Sequence, residues 1–350
     1  MRNDQEVACD TSVLKMLDSD DYVNYGNTLI SFAKKTSLTP FPFVSGMSGN
    51  MKQMRRRIIN IASYEKPTFQ KKLKSITIFL LTSVLLFCLA PFVSAYAADE
   101  DYYPWNISSK TCTAIDLTSY FGNYEGGFVL YNLTNDTWKI HNMELAALRV
   151  APNSTYKIYN ALLGLENNII TPENSFVEWD GTAYPFETWN ADQTLPSAMS
   201  SSVNWYFQWI DEQLGAASIE NYLHKIRYGN ENLGDNFSSY WMESSLKISP
   251  IEQVELLSKL QKNSLGFSPK NISAVKNSIH IASSAKGNLY GKTGTGRVNE
   301  QDVNGWFIGC IEHADNTYFF ATNIHAKEHA DGRNAAEITL SVLSDMSIWE

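Results

Sequence analysis

The sequence predicts an α+β domain, an antiparallel sheet with helices, preceded by one transmembrane helix. Three patterns carry this expectation. An uncharged run of 24 residues, "SITIFLLTSVLLFCLAPFVSAYAA", lies between Lys74 and Asp99. Strand-like runs occur both near residue 120 and between about 287 and 325, whereas the block between roughly 160 and 275 has helical periodicity. Strands at the two ends of a helical middle describe a domain whose termini share one sheet.

The first 74 residues read as helical pieces. "EVACDTSVLKML" and "DYVNYGNTLISFAKK" have apolar side chains at helical spacing; "TPFPFVSGMSGN" is a Pro/Gly/Ser loop, and the basic run "MKQMRRRIINIA" follows. So few large apolar groups make a poor independent core, which suggests part of something larger. The uncharged run from 75 to 98 is long enough to cross a hydrocarbon core of about 30 Å at about 1.5 Å per residue. Its charge surroundings orient it. Residues 1–98 carry 12 Lys+Arg against 7 Asp+Glu, and the remainder carries 16 against 30, so a net +5 precedes a net −14. The basic flank "KPTFQKKLK" then stays in the cytoplasm and the acidic part lies outside. Such a split indicates two environments, not one nucleic-acid-binding surface, so a membrane partner is expected and no nucleic acid. Tyr96, Tyr102, Tyr103 and Trp105 suit an outer interfacial belt. "SAYA" also fits a signal-peptidase site at Ala95 to Ala97. The roughly 70 residues before it favour a retained anchor, and either alternative exports the C-terminal part.

Beyond Asp99, "GGFVLYNLTNDTWKIHN" reads as a β-hairpin, followed by a helix from near Asn153. "SSVNWYFQWIDEQLG" and "SPIEQVELLSKLQK" supply helices, "NLYGKTGTG", "VNGWFIGCIE" and "NTYFFATNIH" strands, and "AAEITLSVLSDM" a closing helix. The four cysteines carry little information; Cys310, in an apolar strand, suits a buried free thiol.

Chemistry enters with Ser154 and Lys157. Positions i and i+3 share a helix face, and a buried lysine loses proton affinity, so its neutral amine can take the serine proton. A serine at a helix N-terminus also has backbone N–H groups aimed at a developing oxyanion. Downstream, "GKTGTG" from Gly291 to Gly296 sets a cation and hydroxyls on a strand edge suited to a carboxylate.

In that order, S-x-x-K and K-T-G resemble the signature of serine β-lactamases and penicillin-binding proteins. Residues from about 100 to 350 resemble a penicillin-recognising serine domain of the class D, oxacillinase-like kind. "SSV" from Ser201 to Val203, "YGN" from Tyr228 to Asn230, Trp241 in "YWMESSLKIS", "GWFIG" and Arg333 in "DGRNAAEIT" all follow the family's order. The resemblance implies that Ser154 is acylated by a β-lactam antibiotic and that Lys157 is its general base. In this family the lysine is often a carbamate formed with CO2, and no other cofactor is implied. Ser202 would relay protons, Trp241 would contact Lys157, and Lys292, Thr293 and Arg333 would hold the substrate carboxylate. Small Gly294 would admit the ligand, with the N–H groups of Ser154 and Thr295 as oxyanion hole. Asn204 departs from the pattern, standing where class D hydrolases carry a valine. An amide there can hydrogen-bond the lysine, favour loss of its carbamate and let the acyl-enzyme persist.

The N-terminal part resembles membrane β-lactam sensor-transducers of the BlaR/MecR type. In that family a membrane zinc peptidase precedes the last transmembrane helix and the external sensor, and a downstream repressor receives the signal. The resemblance divides the chain into 1–74, a cytoplasmic remnant of the zinc-peptidase region, 75–98, a transmembrane helix, and 99–350, an extracellular sensor. Glu6 would match the third zinc ligand, but no histidine precedes His141, so no catalytic zinc is expected. Arg55, Arg56 and Arg57 would be either a cleavage region or a basic flank facing anionic lipid. "HAKEH", His325 to His329, fits a zinc-peptidase pattern, yet its strand-to-helix connection near the chain end leaves no place for a further ligand. The expected function is a β-lactam sensor acylated at Ser154 with slow release. An active class D β-lactamase and a truncated, non-signalling binding protein are the alternatives.

Overall fold

The computed structural model describes residues 2–37, 51–66, 68, 77–80, 82–83 and 101–349. Most of the uncharged run, the "SAYA" site and the "TPFPFVSGMSGN" loop lie outside the described residues. Among the described residues no helix is long and apolar enough to cross a membrane. The chain divides into two compact units, Met1–Phe92 and Val93–Glu350.

The first unit holds α1 (Arg2–Met16), α2 (Tyr22–Ser37) and α3 (Met51–Ala62). Among its described residues Leu14, Ile61 and the carboxylate of Asp10 are buried. The Arg57 guanidinium grips both oxygens of Asp10 at 2.7 Å and reaches Glu6 at 3.4 Å, and Tyr25 donates to Asp10 at 2.8 Å. A fork-shaped guanidinium matches a carboxylate in this two-point way. Arg57 is therefore tied into the helices, whereas Arg55 and Arg56 are exposed. Met16, Val23 and Ile59 stay in solvent.

The second unit is built on a seven-stranded sheet: β1 (Thr111–Ala114), β2 (Glu125–Asn132), β3 (Thr137–His141), β4 (His280–Ser284), β5 (Gly287–Val298), β6 (Gln301–Glu312) and β7 (Thr317–His325). The strand order is β1-β3-β2-β7-β6-β5-β4. The early hairpin thus lies beside the last strand, Phe128 opposite Thr322, and the two ends of the unit share one sheet. All pairings are antiparallel except β1 with β3, which is parallel.

Alternation along the strands makes both faces apolar. On one face Val129, Tyr131, Trp306, Ile308 and Phe319 pack against the helical middle. On the other, Phe128, Phe307 and Phe320 meet the closing helix through Ile338, Val342 and Leu343. Short helices α4 (Thr118–Phe121) and α5 (Met143–Ala147) flank the hairpin. The middle contains α6 (Lys157–Glu166), α7 (Leu195–Ser200), α8 (Asn204–Leu214), α9 (Ala216–Ile226), α10 (Pro250–Gln261) and α11 (Pro269–Ser278); α12 (Gly332–Asp345) closes the chain. The start of α10 follows from its sequence: Pro250 takes the first helical position, and Ser249 and Glu252 form a reciprocal capping box.

The helix expected from near Asn153 opens as a 3-10 turn, Asn153–Tyr156, and becomes α-helical at Lys157. Tyr103 and Trp105 direct their polar ends to Glu255, at 2.9 and 3.0 Å, which ties both aromatics to the unit. Cys112 and Cys310 are both free, and Cys310 is buried.

Candidate active site

Ser154 sits in the 3-10 turn just ahead of α6, after Asn153, whose left-handed backbone (φ 50°) an asparagine tolerates. The turn continues directly into the helix, which places Lys157 one turn below the serine, with Nζ 2.9 Å from Ser154 Oγ. Lys157 is fully buried. Its Nζ also donates to the Ser202 carbonyl at 2.7 Å, the Ser202 hydroxyl at 3.1 Å and Asn204 Oδ1 at 2.6 Å. Two aromatic faces complete the shell, Trp241 at 5.3 Å and Phe207 at 5.4 Å. Burial, and then the charge of Lys292, hold the Lys157 amine well below the usual lysine range.

Ser202 occupies the break between α7 and α8 in a left-handed conformation (φ 54°), and both its oxygens face Lys157. On its other side Lys292, from β5, donates to Ser202 Oγ at 3.0 Å. Burial brings Lys292 down to about 8. A continuous path thus runs from Ser154 Oγ through Lys157 Nζ and Ser202 Oγ to Lys292 Nζ.

Gly294 brings β5 against the serine turn: a Cβ there would lie 3.0 Å from the Pro152 carbonyl and 3.3 Å from Ser154 N. Thr293, Gly294, Thr295 and Arg333 line one hollow of about 530 Å³ together with Ser154 and Ser202. Thr295 Oγ1 is spent on Gly332 N at 2.9 Å, which ties β5 to the start of α12. Arg333, exposed at the rim, pairs at the surface with Glu337, 3.0 Å away; such pairs contribute little and exchange readily for another carboxylate. A second hollow of about 210 Å³ also borders Ser154 and is lined by Asn153, Trp241, Met242 and Glu243. Asn204, Thr295 and Arg297 border both.

The nine other candidate residues therefore surround Ser154. Other members of the site were not visible in the sequence. Asp211 on α8 accepts from Trp241 Nε1 (3.2 Å), Tyr240 OH (3.1 Å) and Asn160 Nδ2 (2.6 Å), so the indole N–H is turned toward Asp211. Asn204 Nδ2 donates to Met242 Sδ at 3.2 Å, which turns its carbonyl to Lys157. The "YGN" motif is architectural. Gly229 (φ 55°) passes so close to the Lys247 carbonyl that a Cβ would lie 1.8 Å from its oxygen, and Asn230 bonds the backbone of Ser245 and Lys247. Together they fix the segment that carries Trp241. His325 is half-buried at the end of β7, while His329 is exposed in the following turn. Among the described residues no group of three or more His, Cys, Asp or Glu side chains could hold a metal.

A serine, a buried lysine, a bridging serine and a lysine-bearing strand define a penicillin-recognising serine fold. The chain belongs to the family of the penicillin binding protein transpeptidase domain, whose model matches residues 130–344. Residues 1–61 match the BlaR1 peptidase M56 model. The chain is 39% identical over 354 residues to the regulatory protein BlaR1 of Bacillus licheniformis, covering 99% of this chain and 58% of that protein. It thus spans less than two thirds of that relative's length. The probable beta-lactamase YbxI of Bacillus subtilis (strain 168) is 37% identical over 223 residues, covering 64% of this chain and 81% of the relative. The solved C-terminal domain of the Bacillus licheniformis BlaR penicillin-receptor is 45% identical, with a TM-score of 0.67 over 69% of this chain and 98% of that one.

Proposed function

We propose that the chain is a membrane-anchored β-lactam receptor whose external unit is covalently acylated at Ser154 and releases the product slowly, the adduct being the signal. Ser154 Oγ attacks the lactam carbonyl, the lactam C–N bond breaks, and the serine proton passes through Lys157 and Ser202 to the ring nitrogen. The result is an ester on Ser154. The ring carboxylate lies toward Lys292, Thr293 and Arg333, and the backbone N–H groups of Ser154 and Thr295 receive the oxyanion. Residues 1–74 are read as part of a peptidase region, 75–98 as the anchor and 99–350 as the sensor. A peptidase partner and a downstream repressor belong to the same reading.

The observation that carries slow release is the shell of Lys157. Two of its four polar neighbours, the Ser202 carbonyl at 2.7 Å and Asn204 Oδ1 at 2.6 Å, can only accept from Nζ, while the nearby indole N–H is donated to Asp211. This shell suits an N–H donor and leaves an anionic carbamate only the Ser154 and Ser202 hydroxyls as donors. Lys157 is also fully buried and borders neither hollow, so water there has no direct contact with the base. The resemblance to BlaR1 across nearly the whole chain supports the sensor reading over a secreted hydrolase.

The test mixes the detergent-solubilised chain with a chromogenic cephalosporin at one equivalent and in large excess, and follows the adduct by mass spectrometry. One equivalent of colour with a Ser154 adduct persisting for many minutes is expected, with no adduct on Ser154→Ala. Asn204→Val removes the acceptor held against Lys157 and should shorten the adduct lifetime about tenfold or more. Sustained turnover by the unsubstituted chain would instead make it a hydrolase.

A further inference from the structure

Two hollows meet at Ser154. The larger has Arg297 and Arg333 with Asp302 and Asp331 in its wall, and Lys292 reaches it through Ser202; the smaller has Arg297 and Glu243. With the carboxylate of a bound β-lactam toward Lys292 and Arg333, as proposed above, the smaller hollow is the place left for its acyl side chain. The smaller hollow is bordered by the Glu243 carboxylate, and that carboxylate is built in place. Its Oε1 accepts from Asn153 Nδ2 and Asn304 Nδ2, both at 2.7 Å, and its backbone N–H donates to Asn153 Oδ1 at 3.3 Å. Asn304 is itself held by Asn323 at 2.8 Å. Gly296 makes room for the carboxylate on β5, since a Cβ at that position would lie 1.8 Å from Oε1. Glu243 has φ 41°, a costly conformation for a glutamate, beside Asn153 at φ 50°. Strain of this kind persists where the surroundings over-determine it.

Oε2 receives no hydrogen bond or ion pair among the described residues. Arg297, the cation in the same wall, is already matched by Asp302 at 2.8 Å. The hollow therefore keeps the negative charge of Glu243 unbalanced, 210 Å³ being space for a substituent and not for a second ligand.

We infer that Glu243 makes this hollow a subsite for a cationic acyl side chain, so that β-lactams bearing a protonated amine there acylate Ser154 preferentially. The inference rests on the receptor reading above. A ligand anionic at one end and cationic at the other matches the two hollows as one track through Ser154.

The test compares acylation rate constants of the full chain, at about pH 6.5 where the amine is protonated. The probes are benzylpenicillin, its α-amino derivative (ampicillin), and the N-formyl form of that amine, which keeps the bulk and removes the charge. The amine should react about fivefold faster than its formylated form, which corresponds to about 1 kcal/mol, and Glu243→Gln should bring that ratio to near one. A ratio of one or less in the unsubstituted chain overturns the proposal, even if the variant does not fold. An unchanged ratio in a reactive Glu243→Gln protein overturns it too, and would leave Glu243 as a strut for the serine turn. Failure of all three penicillins to mark Ser154 sinks the receptor reading itself.

Discussion

The polar contacts of Ser154, Lys157, Ser202 and Lys292 make the proton inventory of the site a matter of two lysines. Burial, and then the neighbouring Lys292 charge, depress Lys157, and it serves as base only when neutral, so acylation rises as pH passes its folded value. Lys292 attracts a carboxylate only as the ammonium, and burial lowers it to about 8, so the same rate falls above that pH. A bell-shaped profile of the acylation rate is expected. Lys292→Met removes the charge that helps depress Lys157, so the acid limb moves to higher pH while the alkaline limb disappears. A stopped-flow pH series on both proteins checks this, and an acid limb that does not move would separate the two lysines. These residues were legible in the sequence because the chemistry fixes both residue type and spacing: three positions along a helix for the base, a strand lysine for the anion. Glu243 and Asp211 were not, because their partners lie far away in the chain: Asn153 is 90 residues from Glu243, and Asn160 is 51 from Asp211. No local pattern signals such a meeting.

At the scale of elements, Asp211 is the fastening between α6, α8 and the segment carrying Tyr240 and Trp241. Burial pushes its carboxyl up to about 8, against the pull of the three donors around it. A folded value above the unfolded one contributes stability that is complete below about pH 4 and is lost as pH rises through about 8. The difference of about four pH units sets an upper bound of about 6 kcal/mol, since each unit is about 1.4 kcal/mol. Urea unfolding of the second unit, followed by tryptophan fluorescence, should therefore show stability falling between pH 4.5 and 8. Asp211→Asn should flatten that slope relative to the unsubstituted protein, because every other titrating group is common to both. Equal slopes would mean that Asp211 does not titrate in this range. The elements themselves were largely readable. β2, β6 and β7 carry continuous apolar runs, as strands covered on both faces do, and α10 announces itself by Ser249, Pro250 and Glu252. The 3-10 turn under Ser154 was not readable, since its first residue is left-handed and its tightness comes from β5 crossing at Gly294. The parallel β1–β3 pair was equally silent, because a four-residue strand with mostly exposed side chains carries no alternation to read.

For the whole molecule, charge and topology have to agree. A net +5 before residue 99 and a net −14 after it flank an uncharged stretch of 24 residues, and lysine and arginine beside a span are retained on the cytoplasmic side. On the proposed topology the acidic unit carries Ser154 outside, where an antibiotic need not cross the membrane to reach it. A fluorescent penicillin made membrane-impermeant by a sulfonated dye should mark the chain equally in intact protoplasts and in detergent-lysed ones. Ser154→Ala should abolish the mark in both, which separates the site from nonspecific uptake. Labelling only after lysis would place the sensor unit in the cytoplasm and reverse the orientation, whatever the chemistry of the site. Equal labelling that disappears from the membrane fraction when residues 75–98 are deleted would assign the anchor to that stretch. The same label remaining with membranes after the deletion would move the anchor to the first unit, where Met16, Val23 and Ile59 already face solvent.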